Sequence, residues 1–221
     1  MDLIDEWARA QARVIELVAP LTARQAGVRV PACPDWTVRD LFSHMVGLGA
    51  DVIAGDEPDD HNAVWTEQQV ATRRDYDIAA LVTEWEGLSG RLQEWMREHG
   101  TRPLSDVIIH EQDLRGALGV SGGKDSGGVR AVRDRFLPRF AAKVGDLPPI
   151  ALVADGWEWA SHGEAADAAV VVRAPEFDIA RALVTRRSER QLRSWTTHGD
   201  VSTYLGGFAL LGSLPSSDLA E

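Results

Sequence analysis

Apolar residues recur at helical spacing through the first two thirds of the chain. The first series has intervals of three and four residues, which predicts an amphipathic helix that ends before the turn at Gly27. Its members are Leu3, Trp7, Ala10, Val14, Leu17 and Leu21. Three further series predict helices over Val38 to Val52, Ile78 to Trp95 and Pro103 to Leu118.

The residues that flank these series indicate where the helices begin and end. Thr37, followed three residues later by Asp40, is typical of a capping box, in which two side chains satisfy backbone N–H groups of the first turn. Pro103 suits the first turn of the fourth helix, and Gly119 suits its end. These helices predict a bundle, to which a further helical stretch from Val129 to Val144 adds a fifth member.

The pattern changes after Pro148. Two short runs of β-prone residues, Ile150 to Ala154 and Ala168 to Val172, are separated by residues typical of turns. A helical pattern follows from Phe177 to Trp195, and the stretch from Val201 to Leu205 predicts another strand.

This order of patterns predicts an α+β fold with two domains. A four-helix bundle of up to five helices is expected over residues 1–145, and a small α+β domain over residues 146–221. The 221 residues, of which 44% are apolar, suffice to bury the cores that such domains need.

Charge and cysteine content narrow the range of partners. The chain has 23 basic and 34 acidic residues, a formal net charge of -11, which argues against binding to nucleic-acid phosphates. Its single cysteine, Cys33, cannot form an intramolecular disulfide, and the first residues lack the pattern of a signal peptide. No apolar run approaches the roughly 18 residues of a membrane span. We therefore expect a cytoplasmic monomer or homodimer with no nucleic-acid or membrane partner.

The predicted fourth helix carries the residues most suited to chemistry. Asp106 and His110 are four positions apart, so their Cβ atoms should lie about 6 Å apart, a separation that two ligands of one metal ion can bridge. Asp113 lies on the same stripe. Apolar neighbours predict that much of this helix is buried, and a buried carboxylate or imidazole must be paired, hydrogen-bonded or coordinated.

His44 offers a third ligand from the predicted second helix, one turn after Asp40. Two histidines and one carboxylate on two facing helices are typical of an open catalytic metal site, which keeps a position for water or substrate. Zinc fits this set, and ferrous iron or another divalent transition metal fits it too. The alternative is a buried pair of Asp106 and His110 beside an unrelated core histidine.

Two segments resemble the mycothiol-dependent maleylpyruvate isomerase family, a branch of the DinB-like metal-binding bundles. Residues 30–44, VPACPDWTVRDLFSH, are similar to its second-helix signature, and residues 106–119, DVIIHEQDLRGALG, are similar to its fourth-helix signature. The tail from Val170 to Arg187 resembles the sterol-carrier-protein-like domain that often follows this bundle.

The resemblance implies roles for particular residues. The family's three metal ligands fall on His44, Asp106 and His110, where the isomerase itself has glutamate at the position of Asp106. Aspartate is one methylene shorter and can still bind a metal. The segment from Thr185 to Arg187 matches a Gly-Arg pair that helps to hold an anionic substrate, so Arg187 is the residue to which this role is carried over.

The resemblance also implies Zn²⁺ as the metal and mycothiol as a thiol cosubstrate. A divalent cation lowers the pKa of a thiol, so that a thiolate can attack an electrophilic carbon at neutral pH. In the isomerase, the thiolate adds to the double bond of maleylpyruvate, the bond rotates, and elimination gives fumarylpyruvate. The leading hypothesis is therefore a mycothiol-dependent isomerase or S-transferase that acts on a small electrophile.

Further residues complete this hypothesis. We assign Asp113 and Arg187 to catalysis and Arg115 to cofactor binding. Asp113 could orient a ligand histidine or accept a hydrogen bond from the cofactor, and the alternative is a surface or interhelical salt bridge with Arg115 or another arginine. Two other functions fit the same bundle: a metal-dependent hydrolase with Asp113 or Glu111 as base, and a noncatalytic module that binds an anionic ligand or a protein partner.

Overall fold

The computed structural model describes residues 1–58 and 62–220. The chain divides into two compact units, Met1–Gly123 and Lys124–Ala220. Helices dominate the first unit, and the second combines helices with a four-stranded sheet. This mixture of helices and sheet confirms the predicted α+β class.

The first unit is a helical bundle with a short antiparallel hairpin. Its elements are α1 (Leu3–Val18), α2 (Ala23–Ala26), β1 (Arg29–Val30), β2 (Cys33–Thr37), α3 (Val38–Ala54), α4 (Ala63–Thr72), α5 (Ile78–His99) and α6 (Arg102–Leu118). The long helices α1, α3, α5 and α6 correspond to those predicted from the apolar spacing. Helices α1 and α3 each pack against both α5 and α6, which makes these four helices the bundle.

Helix α3 begins where its sequence predicts. The Asp40 backbone N–H donates to Thr37 Oγ1 at 3.2 Å, and the Thr37 backbone N–H donates to the Asp40 carboxylate at 3.0 Å. Its apolar side enters a core of large aromatic rings. The ring of Trp85 meets Trp7 and Phe42 edge to face, at centroid distances of 6.3 and 5.4 Å. These contacts fix the height and rotation of α3 in the bundle.

Helix α4 lies outside the predicted set. The side chain that it buries is the polar Gln69, while Val64 is largely exposed. An apolar stripe is therefore missing from Ala63–Thr72, and the spacing of apolar residues could not reveal the helix.

The second unit contains helix α7, followed along the chain by a four-stranded sheet with helices. Its elements are α7 (Gly127–Val144), β3 (Ile150–Ala154), β4 (Trp157–Ala160), β5 (Val170–Arg173), α8 (Glu176–Leu183), α9 (Glu189–Ser194), β6 (Thr196–His198) and 3₁₀ helices at Ala165–Asp167 and Val201–Phe208. The sheet order is β4-β3-β5-β6. Strands β3 and β5 are parallel, and the other two pairs are antiparallel.

The division between the units differs by one helix from the predicted boundary at residue 145. Helix α7, which the prediction places in the bundle, belongs to the second unit. Its Phe140 ring packs against Phe208 and Trp159 at centroid distances of 4.6 and 6.0 Å. Its Arg133 guanidinium pairs with Glu176 at the start of α8. These contacts attach α7 to the sheet-containing unit.

The helical pattern from Phe177 to Trp195 forms two helices rather than one. Thr185 separates them with a left-handed backbone, φ 61°. This conformation is unfavourable for a β-branched residue, and it is held here because Thr185 Oγ1 donates to the Phe208 carbonyl at 2.9 Å and accepts from the Leu211 N–H at 2.9 Å. Ser188 then caps α9.

The strand predicted over Val201 to Leu205 is wrong. The segment is a 3₁₀ helix, because the Asp200 carboxylate accepts from the Ser202 backbone N–H at 2.9 Å and starts a tight turn. The buried residues Val201, Tyr204 and Phe208 then follow helical spacing. Among the residues that the structure describes, no helix combines the length and apolar character that a membrane crossing would need.

Candidate metal centre

Helices α3 and α6 bring the three predicted ligands together. His44 Nε2 lies 3.4 Å from Asp106 Oδ1, and His110 Nε2 lies 3.3 Å from the same oxygen. One ligand atom from each residue lies within 4.8 Å of the other two. In a tetrahedral site with bonds of about 2.0 to 2.1 Å, neighbouring ligand atoms are about 3.3 to 3.4 Å apart. The chemistry and spacing of these donors therefore fit a divalent transition metal.

The bundle explains why these side chains converge. Asp106 and His110 lie on one face of α6, one turn apart, while Val107 and Ile108 beside them are buried in the core. His44 faces them from α3, whose residues are buried on most sides. The two imidazole rings are 5.1 Å apart and nearly perpendicular, so each can direct a nitrogen to a common point.

Each imidazole is held by a hydrogen bond at its other nitrogen. His110 Nδ1 lies 3.0 Å from Oδ2 of the fully buried Asp113, and His44 Nδ1 lies 2.7 Å from Gln69 Oε1. Both partner atoms can only accept, so each Nδ1 carries a hydrogen and each Nε2 keeps its lone pair when the ring is neutral. The structure thus places Asp113 where the sequence predicts a group that orients a ligand histidine.

The electrostatics of the site favour a positive charge at its centre. Burial opposes ionisation of Asp106, but the charge and hydrogen bonds of His110 and His44 outweigh it and hold the pKa of Asp106 well below its usual range. Burial likewise opposes protonation of His110, yet the Asp106 carboxylate and the hydrogen bonds to Asp106 and Asp113 raise the pKa of His110 to about 9. A proton therefore occupies His110 at neutral pH unless a metal ion replaces it.

Cys33 and Trp36, from the segment before α3, surround this centre. Cys33 Sγ lies 3.9 Å from Asp113 Oδ2, so Cys33, His110 and Asp113 form a second group with metal-binding atoms. The Trp36 ring lies 5.0 Å from the His44 ring, and its Nε1 donates to Glu67 of α4 at 3.0 Å. His44 is thereby enclosed between an aromatic ring and its partners on α4 and α6.

Arg115 does not join the three ligands. It follows Asp106 by nine positions, which turns it by about half a helical turn to the opposite face of α6. There its Nε donates to Glu111 at 3.1 Å and its guanidinium donates to the Ser121 carbonyl at 3.3 Å. The position of Arg115 thus gives no support to its predicted role in cofactor binding. Its guanidinium pairs with Glu111 rather than with Asp113, which the alternative prediction named.

Arg187 lies in the second unit and is buried there. Its Nε and one terminal nitrogen donate to Asp178 Oδ1 at 2.9 and 2.8 Å, and its other terminal nitrogen donates to the Arg186 carbonyl at 2.6 Å. Its guanidinium also lies 5.7 Å from the ring of Phe177. Its role toward an anionic substrate stays a prediction.

Two residues near the centre were missed by the sequence analysis. Gln69 contacts His44, and Asp51 of α3 contacts Gln69. Asp51 follows His44 by two helical turns on α3, but nothing in the pattern of α4 marks Gln69 as its partner. Contacts of this kind depend on how two helices pack.

Comparisons with known proteins agree with this fold. Residues 7–109 match the family described as the mycothiol maleylpyruvate isomerase N-terminal domain. The crystal structure of the mycothiol-dependent maleylpyruvate isomerase is similar, with a TM-score of 0.58 and 14% identity over 86% of this chain and 91% of that one. A histidine-to-alanine mutant of that isomerase gives a TM-score of 0.56 and 13% identity over 84% and 90% of the chains. No curated protein sequence matches.

These findings confirm the resemblance carried by the second-helix signature. The matched segment includes His44 and Asp106 and ends one residue before His110. The solved structures, at their low identity, establish the shared fold. The family takes its name from an isomerase, an enzyme, in line with the prediction. Residues 7–109 are therefore similar to the mycothiol maleylpyruvate isomerase N-terminal domain family.

Proposed function

We propose that this protein is a metal-dependent enzyme that uses mycothiol as a thiol cosubstrate to isomerise a small electrophile or to transfer the thiol to it. One observation carries the proposal: two imidazole nitrogens and a carboxylate oxygen converge within 4.8 Å. His44, Asp106 and His110 would hold the ion, and Zn²⁺ suits two nitrogens, one oxygen and an open fourth position.

The chain's own residues would orient the ligand histidines and limit the access of water to the ion. When bound, a divalent cation would lower the pKa of an incoming thiol, so that the thiolate becomes the nucleophile. Asp113 holds the hydrogen of His110 Nδ1 and keeps that ring directed at the centre. Trp36 covers one side of His44, and the buried side chains of α3 and α6 limit the access of water.

The similarity to the isomerase family selects the first substrates to test. Because the matched domain and the similar structures are named for mycothiol and maleylpyruvate, these two compounds form the first assay pair. Low-molecular-weight thiols are kept reduced in the cytoplasm, which is where we place the protein. The roles of Arg187 and of a sterol-carrier-protein-like second domain belong to the same proposal.

The test compares metal content and turnover in three proteins. Wild type, His110→Ala and His162→Ala are purified in the same way, and His162 serves as the control because it is exposed and lies in the second unit. We expect near-stoichiometric zinc in wild type and in the control, and loss of both zinc and mycothiol-dependent turnover in His110→Ala.

Two outcomes would contradict the proposal. Metal-dependent turnover of an ester or amide with no thiol present would instead identify a hydrolase. A wild-type protein that does not bind added zinc, iron or nickel would indicate a noncatalytic binding module.

A further inference from the structure

We propose that Gln69 and Asp51 form a relay that fixes the orientation of His44 and sets how strongly it binds the metal ion. The relay consists of two hydrogen bonds in series, from His44 to Gln69 and from Gln69 to Asp51. This inference rests on the metal centre of the proposed function, and it is independent of the substrate.

The geometry of the relay is tight. His44 Nδ1 lies 2.7 Å from Gln69 Oε1, and Gln69 Nε2 donates to Asp51 Oδ2 at 2.7 Å. Both distances are shorter than the roughly 2.9 Å typical of such bonds. Gln69 is only 2% exposed, so water cannot readily replace either partner.

The direction of the relay follows from the chemistry of its ends. A carboxylate oxygen of Asp51 accepts hydrogen bonds, so the NH₂ group of Gln69 must face it. The amide oxygen of Gln69 then faces His44, and it too can only accept. His44 Nδ1 must therefore carry a hydrogen, which leaves the Nε2 lone pair directed toward Asp106. A reversed amide would place its oxygen against the Asp51 carboxylate.

The packing of α4 on α3 holds Gln69 in place. A Cβ atom at Gly47 would lie 2.5 Å from Gln69 Cβ and 2.8 Å from its Cγ, so the absence of a side chain at Gly47 permits the close approach. Arg73, the residue that follows α4, donates to the Gln69 carbonyl at 3.3 Å and to Glu84 of α5 at 3.0 Å. These contacts fix α4 independently of any metal.

The relay makes the two histidine ligands unequal. His110 donates directly to the carboxylate of Asp113, whereas His44 donates to a neutral amide that only then reaches a carboxylate. A carboxylate partner increases the basicity of an imidazole ligand more than an amide does. Gln69 is therefore a positioning residue, and the chemical nature of its acceptor atom should control the metal affinity.

The first experiment removes the acceptor. Gln69→Leu is compared with Gln68→Leu, which changes the adjacent, exposed glutamine of the same helix. Zn²⁺ affinity of the full-length proteins is measured by competition with a chelator. We expect Gln69→Leu to bind Zn²⁺ about 10- to 100-fold more weakly, and Gln68→Leu to bind it as wild type does.

A spectroscopic readout separates positioning from a general loss of structure. In the Co²⁺ protein, the hydrogens on the two coordinated imidazoles should give two exchangeable, paramagnetically shifted proton signals. The signal of His44 should be lost to solvent exchange in Gln69→Leu, while that of His110 should remain.

A second pair of variants tests the direction of the relay and serves if Gln69→Leu does not fold. Gln69→Glu alone sets a carboxylate against Asp51 and should weaken Zn²⁺ binding. Adding Asp51→Asn restores a donor that faces an acceptor, and the double variant should regain affinity to within about threefold of wild type or exceed it.

The outcomes distinguish the relay from the metal centre on which it depends. A wild-type protein that binds neither Zn²⁺ nor Co²⁺ would overturn the centre and the relay with it. Metal binding by wild type, together with unchanged affinity and both proton signals in Gln69→Leu, would overturn the relay alone. Failure of Asp51→Asn to rescue Gln69→Glu would contradict the assigned direction.

Discussion

Helix α6 carries ionisable side chains on two opposite faces, and little of either group is exposed to solvent. One face presents Asp106, His110 and Asp113, and the other presents Glu111 and Arg115. On the second face, Glu111 also receives a pair of hydrogen bonds from Arg13 of α1, at 2.9 and 2.8 Å. Each of these side chains of α6 is at most 15% exposed, so low exposure alone does not mark one face as a functional site.

The difference lies in the kind of cation that each carboxylate meets. Arginine is a permanent cation, so Glu111 between Arg13 and Arg115 has its charge matched by the chain itself. Imidazole is charged only when it takes up a proton. Asp106 and Asp113 therefore face a partner whose positive charge comes from solution, as a proton or as a metal ion. A buried carboxylate that contacts titratable imidazoles is therefore a better indication of a metal site than one that contacts arginine.

The largest effect should come from Glu111→Gln, which breaks the charge-matched face. Removing one partner leaves Arg115 buried without a carboxylate, so we expect a loss of about 3 to 5 kcal/mol in the free energy of unfolding. Urea denaturation of the metal-free protein measures this change. The folded variant should keep its metal content, because the other face is untouched.

A matched control exists in the second unit. Glu189 and Arg193 form a pair with the same spacing on a helix, but both are exposed, so Glu189→Gln should not measurably change stability. Wild-type stability in Glu111→Gln, or loss of its metal, would contradict the distinction between the two faces.

A change of pH should alter metal binding at the face of α6 that carries Asp106 and His110. The pKa of His110 is raised to about 9 from an ordinary 6.5, so a metal ion must displace a proton at neutral pH. The apparent Zn²⁺ affinity should therefore rise about tenfold per pH unit from pH 7 and level off near pH 9. Chelator competition at a series of pH values measures this slope.

The same pKa shift makes the stability of the metal-free protein fall with rising pH, whereas metal affinity increases. Because the raised pKa stabilises the protonated form, its contribution to folding is fully present below about pH 6.5 and is lost as the pH rises through about 9. Metal-free protein should thus lose stability over the interval in which metal affinity increases. A Zn²⁺ affinity that does not vary with pH would show that no proton is displaced.

The smallest effect should come from Cys33→Ala. The thiol contacts Asp113 at 3.9 Å and is a weak hydrogen-bond donor, so we expect the Zn²⁺ affinity to stay within about threefold of wild type. Zinc content and chelator competition measure this. A large loss of zinc would instead assign the ion to Cys33 of β2 together with His110 and Asp113 of α6.

The sequence predicts the bundle and its ligands because the relevant signals are local. Apolar intervals of three and four residues mark α3 and α6, and the interval between Asp106 and His110 places both on one face. His44 requires more, since its place on the predicted second helix makes it a candidate and the resemblance to a family then connects it to the other two. The sequence can place two residues on one face where both belong to the same helix, and their role as ligands stays a prediction.

The relay and parts of the second unit could not be predicted, because they depend on contacts between residues that are distant in the sequence. Gln69 is buried through contacts with residues 18 and 25 positions away in the chain, and its helix has no apolar stripe. Thr185 adopts a backbone conformation that its residue type disfavours, so its own preference could not indicate the break between α8 and α9. In both places, tertiary contacts override the local pattern.

The placement of the ligands has a consequence for how long the protein survives. One candidate ligand lies on α3 and two lie on α6, so an ion held by them would join segments separated by about 60 residues and would stabilise the folded state, in which alone the three side chains converge. Metal shortage would then increase the unfolded fraction as well as slow the chemistry. Because proteases act on unfolded chains, the cellular amount of this protein should follow the supply of its metal.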